Sequence, residues 1–132
     1  MKRGEDLNID GKFLKNEDMT KPTRPLCSYT YCADSKVDEA LLPYIKDTVG
    51  LYFETTYKHD LQNQAHERGH ATAKEAGALA AKAKCKVLIT GHYSSRYKNV
   101  DDLVDEARTE FDQVIKGYDG CIVTLTQFFE KN

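Results

Sequence analysis

An α/β layered fold is what this sequence predicts, and three observations predict it. Short β-prone runs alternate with helical segments from residue 28 onward. The 132 residues suit one domain. Hydrophobic residues make up 40% of the chain, with eight Tyr and five Phe, enough for one packed core.

The opening, residues 1–26, is polar and ends in "TKPTRP", where two prolines and little periodicity predict an irregular segment. At "SYTYCA", residues 28–33, Tyr29, Tyr31 and Ala33 alternate with Ser28, Thr30 and Cys32, which predicts a strand. In "DSKVDEALLPYIK" Ser35 stands three residues before Asp38, a helix-start spacing, and Val37, Leu41, Tyr44 and Ile45 share a face. Pro43 is expected to end or bend that helix. "GLYFE", residues 50–54, predicts a second strand, and "TTYKHDLQNQAHERG" a polar loop with a short helix. "HATAKEAGALAAKAK" sets Thr72 and Glu75 in capping-box spacing before an alanine-rich helix, whose Ala73, Ala76, Gly77 and Ala80 permit close packing on a sheet. "KVLIT", residues 86–90, predicts the third strand. "NVDDLVDEARTEFDQVIKG" predicts one amphipathic helix, capped by Asn99, with Asp101 and Asp102 at its positive end. Leu103, Ala107, Phe111, Val114 and Ile115 form its apolar stripe. "CIVTLTQF", residues 121–128, predicts a closing strand.

A net charge of -2 disfavours a strongly basic nucleic-acid module, although it leaves room for a local basic groove. Mean hydropathy is -0.63, no apolar run approaches a membrane span, and the charged opening "MKRGEDLNIDGK" is unlike a signal peptide. Cys27, Cys32, Cys85 and Cys121 form no C-x-x-C pair, so reduced thiols in a cytoplasmic protein are expected rather than a cysteine zinc site.

Ligands of open α/β sheets gather beyond the carboxyl ends of strands. Asp34 follows the first predicted strand, Glu54 ends the second, and His92 follows the third after one glycine. His70 precedes the capped helix. If the strands are neighbours, Asp34, His70 and His92 converge on one rim. Singly, each has a plainer reading: Asp34 as a helix cap, His70 and His92 as surface histidines, Glu54 as a turn cap, Arg96 as a surface arginine. His59 and His66 read as solvated loop residues.

Four motifs, "YCADS" (31–35), "LYFETTY" (51–57), "GHATAKEAG" (69–77) and "GHYSSRY" (91–97), resemble in order and separation those of the C-terminal half of ribonuclease Z. That family comprises tRNA 3′-processing endonucleases of the metallo-β-lactamase superfamily. The resemblance implies the C-terminal half of an αββα sandwich over residues 27–132, with residues 1–26 following the family's substrate arm. It implies that Asp34 bridges two zinc ions, that His92 ligates one of them, and that His70 handles the leaving-group proton. Arg96, with Ser94 and Tyr97, is implied to hold the phosphate or the tRNA end, a task that suits the planar guanidinium fork. The implied partner is precursor tRNA.

Two local departures stand out. The family's His-Glu-Ala-Thr is Phe53-Glu54-Thr55-Thr56 here, which leaves the role of Glu54 open, and its His-Ser-Thr loop is His70-Ala71-Thr72. The superfamily's His-x-His-x-Asp-His motif occurs nowhere in the 132 residues, nor do its further histidine ligand and the substrate arm. A catalytic zinc takes about three protein ligands, so this chain alone is expected to bind no zinc pair tightly and to leave tRNA uncut. Met1 is then expected to be an internal methionine, and an exposed apolar face is expected to drive homodimerisation. Two other readings are another metallo-β-lactamase-type phosphodiesterase and a non-catalytic α/β interaction domain built on the same scaffold.

Overall fold

The computed structural model describes residues 4–21 and 26–129. The predicted irregular opening instead holds a hairpin of β1 (Leu7–Ile9) and β2 (Lys12–Leu14), followed by a single turn, α1 (Asn16–Met19). Asp10 and Gly11 both take positive φ, 52° and 79°, and an Asp-Gly pair in that conformation makes the tight turn whose twist matches a hairpin. The two prolines of the expected break, Pro22 and Pro25, lie outside the described residues.

After β3 (Tyr29–Cys32) the chain enters a 3-10 turn, Glu39–Leu41, and then α2 (Leu42–Ile45). Helix therefore starts later than the Ser35 spacing predicts. The Ser35 N–H donates to Oε1 of Glu54, which holds residue 35 out of the helix, while the Asp38 carboxylate caps by accepting from the Ala40 N–H at 2.8 Å. Pro43 sits in the first turn of α2, where its missing N–H costs nothing, rather than ending a helix.

Next come β4 (Gly50–Glu54), a 3-10 turn at His59–Leu61, α3 (Gln62–Glu67) and α4 (Ala73–Ala83). The capping box forms as expected: Thr72 Oγ1 accepts from the Glu75 N–H at 3.3 Å, and the Glu75 carboxylate accepts from the Thr72 N–H at 2.9 Å. Burial alone would raise the Glu75 carboxyl, but hydrogen bonds from Gln62, Thr72 and His66 outweigh it and hold the group below the usual carboxylate range.

Beyond β5 (Val87–Gly91) the long predicted helix is cut short. It runs only as α5 (Asp101–Arg108), with Asn99 Oδ1 accepting from the Asp101 N–H at 3.0 Å. Val114 and Ile115, read from periodicity as its last turns, form β6 (Val114–Lys116) and pair with Leu88 and Ile89. Two β-branched residues beside an open strand edge gain more from a ladder than from another helical turn. That edge being filled, "CIVTLTQF" forms no strand: Ile122 is 92% exposed and a 3-10 turn spans Leu125–Phe128.

The sheet is fully parallel, ordered β3-β4-β5-β6. Leu51, Phe53, Leu88 and Val114 pack with Ala76, Leu79, Ala80, Leu103, Val104 and Ala107 of α4 and α5 in one core. Burying a Leu or Phe side chain in such a core contributes about 1.5–3 kcal/mol. Phe53, which stands where the resembled family has histidine, is fully buried in it.

The opposite face carries Tyr29, Tyr31, Tyr52 and Ile89. Tyr31 stacks on Tyr52 with ring centroids 4.5 Å apart. Residues of the 117–125 segment cross over it, leaving a cleft of about 760 Å³. Parallel sheets are ordinarily covered on both faces. Here the helices cover one, and Tyr29 and Tyr31 stay 51% and 63% exposed on the other.

Candidate functional site at the strand ends

Parallel pairing places the carboxyl ends of β3, β4 and β5 side by side, with Cys32 opposite Phe53 and Glu54 opposite Gly91. The N–H of Thr55 ties the last two ends together by donating to the Gly91 carbonyl at 2.9 Å. Asp34 and His92 then leave their strands with φ of 48° and 56°. A non-glycine residue held in the left-handed region costs on the order of 1 kcal/mol, and such strain collects at functional positions.

The sequence expectation that Asp34, His70 and His92 meet on one rim agrees with their placement, and Glu54 lies at their centre. One ligand atom from each of Asp34, Glu54, His70 and His92 lies within 4.8 Å of every other. Glu54 is fully buried and accepts from the Ser35 N–H, the Thr56 hydroxyl, Nδ1 of His70 (2.9 Å) and the Ala71 N–H (3.3 Å). A buried carboxylate persists only when donors replace its lost water, and here four do.

These contacts fix the proton positions on both rings. Because the Thr56 hydroxyl proton goes to Glu54, its oxygen accepts from Nδ1–H of His92, 2.9 Å away. His70 likewise donates its Nδ1–H to Glu54. In both rings Nε2 is the nitrogen left free of these contacts. Nε2 of His92 lies 3.0 Å from Oδ1 of Asp34, a separation that a proton on Nε2 or a shared metal ion would bridge. Two ligand atoms on one tetrahedral zinc, each about 2.1 Å from the metal, would stand about 3.4 Å apart, a few tenths of an ångström wider than this pair. The imidazole and carboxylate present thus fit a metal ion, and the His92–Thr56–Glu54 chain is the kind of outer support that orients a ligating histidine. The His70 and His92 rings lie 5.3 Å apart.

The loop after β5 is fastened to the loop after β4. The Ser94 N–H donates to the Thr56 carbonyl at 3.1 Å, and the Tyr97 hydroxyl accepts from the Lys58 N–H at 2.9 Å. Tyr97 packs against the core, so its ring anchors the loop. Arg96 is exposed, with its guanidinium 5.0 Å from the centroid of the Tyr57 ring and Nη1 donating to Oε1 of Gln64 at 3.1 Å.

His59 and His66, read from sequence as solvated, are both partnered. Nδ1 of His59 lies 3.1 Å from Oγ1 of Thr72, and Nε2 of His66 lies 2.6 Å from Oε1 of Glu75. Sequence reasoning named Thr56 only within the Phe53–Thr56 motif and gave it no role. Its signal was local: a hydroxyl two residues past an acid at the end of a strand.

A parallel sheet with helices on one face, and acid and imidazole donors at its strand ends, is the arrangement of a metallo-β-lactamase-type domain. Among solved structures the chain is similar to the metallo-beta-lactamase fold protein YhfI from Bacillus subtilis, with TM-score 0.60, 26% identity, and coverage of 67% of this chain and 35% of that one. It is also similar to human tRNase Z, short form, with TM-score 0.52, 21% identity, and coverage of 67% and 29%, a likeness of fold alone.

Its sequence homologues are ribonucleases Z. That of Porphyromonas gingivalis is 39% identical over 106 residues, 80% of this chain and 35% of the relative. That of Bacteroides thetaiotaomicron is 30% identical over 129 residues, 97% of this chain and 41% of the relative. These homologies bear out both the ribonuclease Z resemblance and the metallo-β-lactamase fold. The chain spans little more than a third of the length of the curated relatives it matches. No family model matches it. Among the described residues no helix is long and apolar enough to cross a membrane.

Proposed function

We propose that this chain is the C-terminal portion of a zinc-dependent endoribonuclease that removes 3′ trailers from precursor tRNA in the cytoplasm. One observation carries the reading: Asp34, Glu54, His70 and His92 bring four donor atoms within 4.8 Å at the strand ends of a chain homologous to ribonucleases Z. Asp34 and His92 hold zinc in this reading. Bound zinc would acidify a water and offset negative charge on the scissile phosphate.

The chain's own residues do the rest. Glu54 holds the His70 ring through its Nδ1–H, so Nε2 is the nitrogen that takes up a proton from water and passes it to the leaving oxygen. Thr56 orients His92 through its Nδ1. Arg96 supplies a planar pair of donors to the phosphate, with Ser94 beside it. The helix-free sheet face, with its exposed Tyr29 and Tyr31, is where a second copy of the chain would pack.

Asp34 and His92 are too few ligands for two ions. Calorimetric titration of the chain with zinc is therefore expected to show no submicromolar two-ion isotherm, and a weak single-ion event is expected to vanish in His92→Ala. A tight two-ion isotherm counts against this part of the reading. The activity is tested in a hybrid in which the matching part of this chain replaces the corresponding 106-residue stretch of the Porphyromonas gingivalis relative. The hybrid is expected to cut precursor tRNA at the 3′ trailer, and His70→Ala within it to slow cleavage by about 100-fold or more. A folded hybrid that leaves the precursor intact overturns the proposal.

A further inference from the structure

We infer that Arg68 and Arg96, both in contact with Tyr57, whose ring lies against His70, form a two-guanidinium subsite for successive backbone phosphates of a single-stranded RNA; this rests on the function proposed above. Tyr57 is the organising residue. It is 4% exposed, and its ring is tilted against that of His70 with centroids 6.1 Å apart. Nη1 of Arg68 donates to the Tyr57 hydroxyl at 3.4 Å, and the Arg96 guanidinium lies 5.0 Å from the ring centroid. The two arginines come from separate segments, Arg68 at the end of α3 and Arg96 in the loop after β5.

Their charges are uncompensated. The partners of the two side chains are the Tyr57 hydroxyl and ring and the Gln64 amide oxygen, all neutral. Among the described residues no carboxylate lies within ion-pair distance of either guanidinium, whereas Arg108, exposed on α5, pairs with Asp105 at 3.0 Å. Two like charges around one aromatic ring repel each other unless an anion joins them. The neutral acceptors hold the forks in place and leave most of their N–H donors free. A polyanionic strand meets that demand, because each guanidinium can take one phosphate in a bidentate grip. The Tyr57 ring lies against that of His70, which places this pair of arginines in the neighbourhood of the candidate site. A net charge of -2 gives the chain no overall attraction for RNA, so binding has to come from local cationic groups such as this pair.

The test measures affinity of the full chain for a fluorescent single-stranded oligoribonucleotide as a function of salt, by anisotropy. Each phosphate contact on a single strand adds about 0.7 to the slope of log affinity against log salt. Arg68→Gln and Arg96→Gln are each expected to lower that slope by about 0.7, and the double variant by about 1.4. Both residues are exposed, so melting temperatures are expected to stay at the wild-type value. An unchanged slope in Arg68→Gln beside a reduced one in Arg96→Gln overturns the paired subsite and leaves the nuclease reading standing. A wild-type chain without salt-dependent affinity for the RNA overturns the subsite. The nuclease reading is judged separately, by cleavage in the hybrid.

Discussion

Replacing Glu54 by alanine is expected to remove about 3–5 kcal/mol from the unfolding free energy, because several buried donors lose the one acceptor they share. The carboxylate is the common acceptor for four donors from three stretches of chain: Ser35 after β3, Thr56 after β4, and His70 with Ala71 before α4. Alanine leaves those donors facing a void, each unsatisfied buried group costing about 1–3 kcal/mol unless water enters. Glu54→Gln keeps the volume but points an NH2 group at neighbours that are themselves donors, so a smaller loss of about 1–3 kcal/mol is expected. Urea unfolding followed by circular dichroism checks both values. A change of under about 1 kcal/mol in the alanine variant, below the cost of even one unmet donor, would show that the acid does not organise the strand ends.

Gly77→Ala reverses an ordinary rule. In a mid-helix position this substitution normally stabilises by about 0.5–1 kcal/mol, because glycine loses more backbone freedom on folding. At Gly77 the added Cβ would stand 2.4 Å from the Ala107 carbonyl oxygen and 3.1 Å from Cβ of Glu110. The first obstacle is backbone and cannot rotate away, so α4 and α5 must separate. A net destabilisation of about 1–3 kcal/mol is expected from such overpacking. The exposed Ala81 on the same helix provides the contrast, since Ala81→Gly there is expected to lose about 1 kcal/mol from propensity alone. Thermal melts of the pair decide the matter: a Gly77→Ala protein more stable than wild type would mean that the two helices are not in close contact.

Much of this architecture was legible because its signals are local. The tyrosine alternation before Asp34, the apolar run before His92 and the Thr72–Glu75 spacing each specify an element from a few neighbouring residues, and β3, β5 and α4 formed accordingly. The errors arose where a distant partner decided the outcome. Val114 and Ile115 carry helical spacing, but the free edge of β5 claimed them. Ser35 carries a capping spacing, but Glu54 took its N–H. At the site, the positions of Asp34, His70 and His92 followed from strand order, whereas the centrality of Glu54 did not. A buried acid is recognised by its donors, and these come from positions up to 19 residues away in sequence. His59 and His66 read as solvated for the same reason, their partners Thr72 and Glu75 lying on the following helix.

The face of the sheet turned away from the helices has an optical consequence. The chain has no tryptophan, so its near-ultraviolet emission comes from tyrosine, and five of the eight tyrosines, at positions 29, 31, 52, 93 and 118, line that single cleft. The protein therefore carries an intrinsic fluorophore array on the surface left bare, and whatever comes to cover it registers in the emission without any added label.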